Sequence, residues 1–241
     1  MSGIGEVDLY NSGSFFADEE MPPEVRTHVF KCLGSFPLSR VLVESRPEFI
    51  TSERVEEARR LLGNIPLEVG IGLESADDDI RERFIRKGFD RSAFESASAV
   101  LSETGAGMVV NILLKPLGLE ESAAVDDAVS TGRYVFELAG RLGLSTRVAL
   151  QPVFVAPGTP LETEFLAGRY LPPNLWSVVE VVRRLHCMGE TVVGLSEEGL
   201  EPKRSPAGCG KCDGIIRQAL RDYNRTKNIN IFDSLNCSCR S

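Results

Sequence analysis

Glu68-Val69-Gly70-Ile71-Gly72-Leu73-Glu74-Ser75, continuing through Ala76-Asp77-Asp78-Asp79 to Arg86-Lys87-Gly88, decides the fold of this chain. Val69, Ile71 and Leu73 alternate with Gly70 and Gly72, which predicts a strand with one apolar and one nearly bare face. A bare face lets a ligand or another backbone approach closely. Glu74 falls where that strand ends. Ser75 with Asp78 has the form of a capping box, with Asp in place of Glu or Gln. Asp77, Asp78 and Asp79 suit the positive end of the helix expected next, and Gly88 suits its C-terminus. An ordinary strand–helix joint of an α/β domain carries the same pattern.

Working outward, Glu6 to Tyr10 alternates as a short strand and runs into Asn11-Ser12-Gly13-Ser14-Phe15-Phe16. A Gly between small hydroxyls at a strand's end exposes backbone N–H groups suited to a polar ligand group. Pro22-Pro23 opens a helix that Gly34 stops. Ser39 to Ser45 is a second strand; its continuous run Val41-Leu42-Val43 suits a parallel strand buried on both faces. It ends in the polar cluster Glu44-Ser45-Arg46-Pro47-Glu48. Thr51 or Ser52 caps a helix ending at Gly63, and Asp90 and Gly105 bracket another over Arg91 to Thr104. Met108 to Leu114 is a strand ending in Lys115-Pro116. An apolar stripe predicts a helix from about Glu121 to Leu142. Arg147 to Val155, carrying Gln151, is the last strong strand, and a helix starting around Trp176 runs to Gly189.

Strand and helix thus alternate through five strands, which predicts a parallel sheet with helical crossovers. Polar groups close successive strands, at Ser12-Gly13-Ser14, Glu44 with Arg46, Glu74 with Ser75, and Lys115. That distribution favours a partial barrel over an open doubly wound sheet, because a barrel builds its site along the carboxyl rim. Lys115 and Gln151 fall on the possible substrate side by strand position alone.

The chain has 241 residues, 42% of them hydrophobic, enough for one α/β domain with a small appendage. No run approaches a membrane span and no signal peptide is visible, so the expected compartment is the cytoplasm. Lys plus Arg is 27 and Asp plus Glu is 35, giving −8, which argues against nucleic-acid binding by the whole surface. A local basic patch, from Arg81, Arg83, Arg86 and Lys87 or from Lys203, Arg204, Lys211, Arg217, Arg221, Arg225 and Lys227, could still meet RNA phosphates. A solvated basic face has the same composition.

Taken together, Asn11 to Phe16, Glu44 to Glu48, Gly70 to Ser75, Arg86-Lys87-Gly88-Phe89 and Pro172-Pro173-Asn174-Leu175-Trp176-Ser177 resemble the radical SAM superfamily. The similarity is to its branch related to the Elongator catalytic subunit, and within it to archaeosine-forming enzymes and their bacterial relatives. It covers about Glu6 to Cys239. The resemblance implies a partial parallel (β/α)6 TIM-like barrel with S-adenosylmethionine (SAM) and a [4Fe-4S] cluster as cofactors. In the family the cluster reduces SAM, and a 5′-deoxyadenosyl radical abstracts hydrogen from the substrate. It implies that Ser12, Gly13 and Ser14 hold the methionine amino group, that Glu44 and Arg46 face SAM, and that Glu74 and Ser75 lie near the ribose. Arg can grip a carboxylate bidentately, and carboxylates can face the cationic amino and sulfonium groups. The implied substrate is a modified tRNA nucleobase, with a possible partner subunit.

The family's cluster ligands, spaced Cys-x3-Cys-x2-Cys after its first strand, have no counterpart among the six cysteines Cys32, Cys187, Cys209, Cys212, Cys237 and Cys239. The expected barrel therefore lacks its first β/α unit, and this polypeptide as written is not expected to cleave SAM reductively. Three readings account for this: a start upstream of the recorded one, which we favour; a split or decayed gene; or a cluster-less relative serving as a binding subunit. Cys32 and Cys187 are expected to be core thiols.

Cys209-Gly210-Lys211-Cys212 and Cys237-Ser238-Cys239 form two close pairs around a helix from about Asp213 to Tyr223. Four paired thiolates match a closed structural Zn2+ site. An iron–sulfur cluster also uses such ligands, and free thiols or a disulfide remain open. The expected division is a barrel over residues 1–190 and a four-cysteine element over 191–241.

Overall fold

Residues 5–11, 13–195 and 200–239 are described by the structure, a computed structural model. Val41 and Val43 on strand β2 (Arg40–Glu44) and Val69, Ile71 and Leu73 on β3 (Leu67–Glu74) are wholly buried. Such unbroken apolar stripes bury a strand under a helical layer. With β1 (Glu6–Leu9), β4 (Gly107–Leu114), β5 (Thr146–Pro152) and β6 (Glu190–Val193), they form a six-stranded parallel sheet in the order β1-β2-β3-β4-β5-β6, an α/β half-barrel. Glu6 pairs with Arg40 and Leu9 with Val43, and Val41 pairs with Leu67 and Glu44 with Gly70.

Helices α1 (Pro23–Leu33), α2 (Ser52–Leu62), α3 (Arg91–Thr104) and α4 (Glu121–Leu142) fall where the sequence places them. The caps explain why. Thr51 accepts from the Arg54 N–H at 3.4 Å and Asp90 from that of Ala93 at 2.8 Å; Gly63 and Gly105 end their helices at positive φ. Gly34 has a different reason. Its φ is −61°, and a Cβ there would stand 2.5 Å from the Leu61 carbonyl of α2.

Two elements escape the sequence reading. Strand β6 has four residues, too few to show a period of two. Helix α5 (Pro160–Leu166) has no buried residue and therefore no apolar stripe; Thr159 caps it. Helix α6 runs from Leu175 to Leu185, and α7 from Asp213 to Thr226.

The stretch after β3 also departs from expectation. Instead of a regular helix closed by Gly88, Ile80–Ile85 forms a π-helical turn closed by Arg86 at φ 60°. The proposed Ser75–Asp78 capping box is absent. The Ser75 hydroxyl accepts from the Asp77 N–H at 3.1 Å, Asp77 accepts from Ile80, and Asp78 pairs with Arg81. Helical π-turns recur at functional sites.

By contact density the chain divides into two compact units. One comprises Met1–Leu73, Gly88–Val110 and Val135–Arg147; the other comprises Glu74–Lys87, Asn111–Tyr134 and Val148–Ser241. In the first, an ionic cluster closes the amino end of the strands. Glu68 accepts from Arg40 at 2.6 Å and from Arg147 at 2.7 Å, and Arg40 also reaches Glu6 at 2.7 Å and Asp8 at 3.2 Å. Arg40, Glu68 and Arg147 are each less than a fifth exposed. Among the described residues no helix is long and apolar enough to cross a membrane.

Removing the shared carboxylate leaves two largely buried guanidiniums without it. Glu68→Ala is expected to cost about 2 kcal/mol, less than a fully buried pair because the site is partly wet. Urea unfolding would show a lower midpoint with unchanged slope; an unchanged midpoint would remove the cluster from the account.

Candidate functional site

In the first unit, the loop after β1 is tied to the loop after β2. Ser14 is fully buried; its hydroxyl accepts from the Arg46 N–H at 3.1 Å, and the Phe15 N–H donates to the Glu44 carbonyl at 2.8 Å. The Ser14 N–H donates to the Glu20 carboxylate at 2.5 Å. A Cβ at Gly13 would lie 1.6 Å from that carboxylate, so a side chain there would displace Glu20. Glu20 is therefore the charged group of this segment, and the sequence reading missed it. The Arg46 guanidinium donates to Glu48 at 2.5 Å and lies 5.6 Å from the Phe89 ring centre. Glu44 ends β2. A Cβ at Gly70 would stand 3.4 Å from Glu44 Cγ, so the bare face of β3 receives Glu44 at that point. Ser12 lies outside the described residues.

In the second unit, Glu74 ends β3 at φ 67°, a conformation rare for a side chain larger than glycine's. Its carboxylate is 14% exposed and accepts from Lys87 Nζ at 3.1 Å. Burial raises its pKa, and Lys87 partly offsets the rise. Ser75 is fully buried and donates to Asp127 at 2.8 Å; the next N–H, of Ala76, donates to Thr131 at 2.9 Å. Arg81, wholly buried, donates to the Ser75 carbonyl at 3.1 Å and pairs with Asp78. Ser75 thus holds the turn, and Glu74 with Lys87 supplies its charge. Burial pushes the Asp127 carboxyl up to about 6, against the hydrogen bond from Ser75.

Lys115 follows β4 at φ 65°. Its ammonium meets Glu121 at 2.7 Å, its carbonyl accepts from the Tyr170 hydroxyl at 2.7 Å, and the other Glu121 oxygen accepts from the Asn174 N–H at 2.7 Å. The anion that Lys115 faces is therefore Glu121. Burial works to raise the Glu121 pKa, but the bonds from Lys115, Ser177 and Asn174 outweigh it and hold the group below its usual range. Gln151 donates to Asn111 at 3.1 Å and lines a cavity of about 240 Å³ with Leu113, Pro152, Val153, Phe154 and Gly194.

The four tail cysteines come together. Their Sγ atoms lie within 4.8 Å of one another, with Cys209–Cys212 at 3.7 Å, Cys209–Cys237 at 3.6 Å, Cys212–Cys239 at 3.5 Å and Cys237–Cys239 at 3.4 Å. A tetrahedron of sulfurs about 2.3 Å from one ion has edges of about 3.8 Å, so the group fits a single metal ion. Backbone N–H groups of Cys212 and Lys211 lower Cys209 to about 6, whereas burial raises Cys212 to about 12. Trp176 donates its indole N–H to Cys239 at 3.4 Å.

Two expectations are corrected. Cys32 and Cys187 are exposed rather than core thiols; on α1 the buried positions are Arg26 and Phe30, and Cys32 falls off that face. Arg81 cannot meet a phosphate because it is buried, and Lys87 faces Glu74. In the tail, Arg204 pairs with Glu162, Arg225 with Asp222 and Lys227 with Glu190, while Lys211 is exposed. Glu20, Asp127 and Glu121 went unread, and Lys87 was read as a phosphate contact, because each is one acid or base in a polar stretch and only folding selects its partner.

No protein-family model matches the chain. It is 32% identical over 236 residues to archaeosine synthase subunit beta of Methanosarcina acetivorans, covering 97% of this chain and 66% of that protein. It is 31% identical over 240 residues to an uncharacterised protein of Methanocaldococcus jannaschii, covering 98% and 64% respectively. The chain thus spans about two thirds of the length of the curated relatives it matches. Among solved structures, Elp3 of Methanocaldococcus infernus, lacking its N-terminus, aligns with a TM-score of 0.62 at 14% identity, over 92% of this chain and 54% of that one. A domain of pyruvate-formate lyase-activating enzyme from Bacteroides vulgatus aligns with a TM-score of 0.52 at 16% identity, over 80% and 99%. Those two likenesses show the fold, an α/β half-barrel. By sequence the chain is kin to archaeosine synthase subunit beta, and by fold it is similar to Elp3.

The raised Asp127 pKa carries a pH signature. A carboxyl at 3.8 unfolded and about 6 folded favours the folded state below both values and loses that contribution as pH rises through them. Asp127→Asn keeps an acceptor for Ser75 and removes the charge. It is expected to raise the melting temperature at pH 7.5 relative to wild type while changing it little at pH 4. Equal shifts at both pH values would count against a buried titrating carboxyl.

Proposed function

We propose that this chain supplies the barrel of a radical SAM enzyme that acts on a modified nucleobase of tRNA and works as one subunit of a complex. The observation that carries this reading is the 32% identity to an archaeosine synthase subunit beta across 97% of the chain. In this reading the strands through β6 provide the barrel, a little beyond the expected boundary at residue 190, and the remainder to residue 241 provides a metal-bearing element; the protein works in the cytoplasm.

The donor set fits SAM in kind. Within the first unit, carboxylates at Glu20 and Glu44 suit a cationic amino acid with a sulfonium. When bound, SAM supplies a sulfonium whose adenosyl group can be released for radical chemistry. The chain's own part is to bind and orient it. In the first unit, Glu20 and the Gly13-Ser14 backbone would meet the amino group and Glu44 and Arg46 its neighbouring polar atoms; for Glu74 and Ser75 of the second unit, the ribose assignment rests on the family resemblance alone. Lys115 and Gln151 are assigned to the substrate side, Gln151 through the cavity it lines.

A [4Fe-4S] cluster does not fit these 241 residues. They contain no Cys-x3-Cys-x2-Cys run, and the tail thiols are spaced for one ion. Zn2+ is the ion we assign to Cys209, Cys212, Cys237 and Cys239, since a closed four-thiolate site is its usual structural form. A second reading is a non-catalytic SAM-fold binding subunit, with which the relative's printed role as a subunit is also compatible.

Both readings can be tested on the native full-length protein, purified and reconstituted with iron and sulfide without oxygen. Reductive cleavage of SAM is expected in the first reading; its absence in the native complex favours the second. Calorimetric titration with SAM is expected to show affinity reduced at least tenfold in Glu74→Ala, about 1.4 kcal/mol. Unchanged affinity in a folded variant would overturn the assignment of Glu74.

A further inference from the structure

The tail cysteines do not stand apart from the barrel strands of their own unit. A chain of hydrogen bonds runs from Cys239 to Lys115, the residue that follows β4. Trp176 Nε1 donates to Cys239 Sγ at 3.4 Å, and the Trp176 backbone N–H donates to Asn174 Oδ1 at 2.9 Å. The Asn174 N–H donates to Glu121 at 2.7 Å, and Glu121 meets Lys115 Nζ at 2.7 Å. A second hold acts on the same segment. Asn174 forms a parallel bridge with Ala207, two residues before Cys209, in which Leu175 N–H donates to the Ala207 carbonyl at 3.2 Å and Ala207 N–H to that of Pro173 at 3.3 Å. Pro173–Trp176 is therefore gripped beside the first ligand pair and at the last ligand.

Lys115 needs such support. A non-glycine residue at φ 65° costs free energy and persists only where its surroundings over-determine it. Its supports are Tyr170 on the carbonyl and Glu121 on the ammonium. Glu121 in turn is oriented by Asn174. The segment carrying Cys237 and Cys239 is in no helix or strand, so its grip on Trp176 depends on what holds the sulfurs. A metal-bound sulfur is a thiolate, and a charged acceptor binds an N–H more strongly than a neutral thiol. Outer-sphere donors of this kind orient metal ligands and are oriented by them.

We propose that the four-thiolate centre is a structural clamp with Trp176 in its outer sphere, and that metal loading there fixes Pro173–Trp176 and, through Asn174 and Glu121, the conformation of Lys115 at the end of β4. This rests on the reading of the tail as a single-ion zinc site. It assigns Trp176 and Asn174 as positioning residues and gives the tail a task inside its unit beyond its own folding.

Trp176 is the sole tryptophan of the chain, which makes the centre visible in solution. Titration of the reduced, metal-free full chain with Co2+ is expected to give thiolate-to-metal absorption saturating at one ion per chain, with quenching of the tryptophan emission at the same stoichiometry. Failure to bind either Co2+ or Zn2+ would overturn the zinc reading and the clamp together. Hydrogen exchange of the full chain, zinc-loaded and chelated, separates the two. Chelation is expected to remove protection over residues 207–212 and 236–239 and also over 173–177 and 115–121. Metal binding with loss confined to the tail would leave the zinc site standing and overturn the clamp. Trp176→Phe is expected to keep one zinc per chain yet show faster exchange over 115–121 when loaded; unchanged exchange there would also overturn it.

Discussion

A buried carboxylate on a residue in the left-handed region is costly twice, once for desolvation and once for backbone strain. Glu74 carries both costs at the end of β3, and the turn that follows is arranged around holding it. Lys87 brings a counter-charge, Arg81 is buried to hold the Ser75 carbonyl, and Ser75 spends its hydroxyl on Asp127 and the Asp77 N–H. The π-helical turn over Ile80–Ile85 and the left-handed Arg86 belong to the same arrangement, since they bring Lys87 back toward Glu74. An ordinary capping box would satisfy the helix but would supply neither the buried guanidinium nor the returning lysine.

Lys115 repeats the device at the end of β4, with Glu121, Tyr170 and Asn174 as its supports. Strain at the carboxyl ends of barrel strands is what a rim-built site would use, because such strain is retained only where the surroundings insist on it. In the first unit the rim is built differently. There Ser14 joins the two loops by hydrogen bonds, and Glu20 takes the space that Gly13 leaves. The amino end of that unit is closed by Glu68 between Arg40 and Arg147. Charge is thus used structurally at one end of the strands and left near the loops at the other.

The tail extends this logic. Four sulfurs at single-ion spacing gather a segment that lies in no helix or strand, and the indole of Trp176 links them to Asn174. The barrel has counterparts among solved folds, whereas the tail's geometry stands on its own. Zinc there would do what a hydrophobic core does elsewhere, which is to make a short segment fold by binding rather than by burial.

Much of the fold was legible in the residues because its signals are local. Periodicity marks β2, β3, β4 and the long α4, and Thr51, Asp90, Gly63 and Gly105 mark helix ends by side-chain and φ requirements that involve only neighbours. The two cysteine pairs were legible because ligand spacing is itself local within each pair. Strand β6 and helix α5 were not, one too short for a period and the other without a buried face. The sites divide the same way. The sequence alone determined which residue types stand at the strand ends: Glu44, Glu74, Lys115 and Gln151. Only the tertiary structure decided what each one meets, pairing Glu74 with Lys87, Lys115 with Glu121, Ser75 with Asp127 and Cys239 with Trp176. Those partners lie up to 63 residues apart, and a charge or hydroxyl carries no mark of the partner that the packing of distant elements will bring to it.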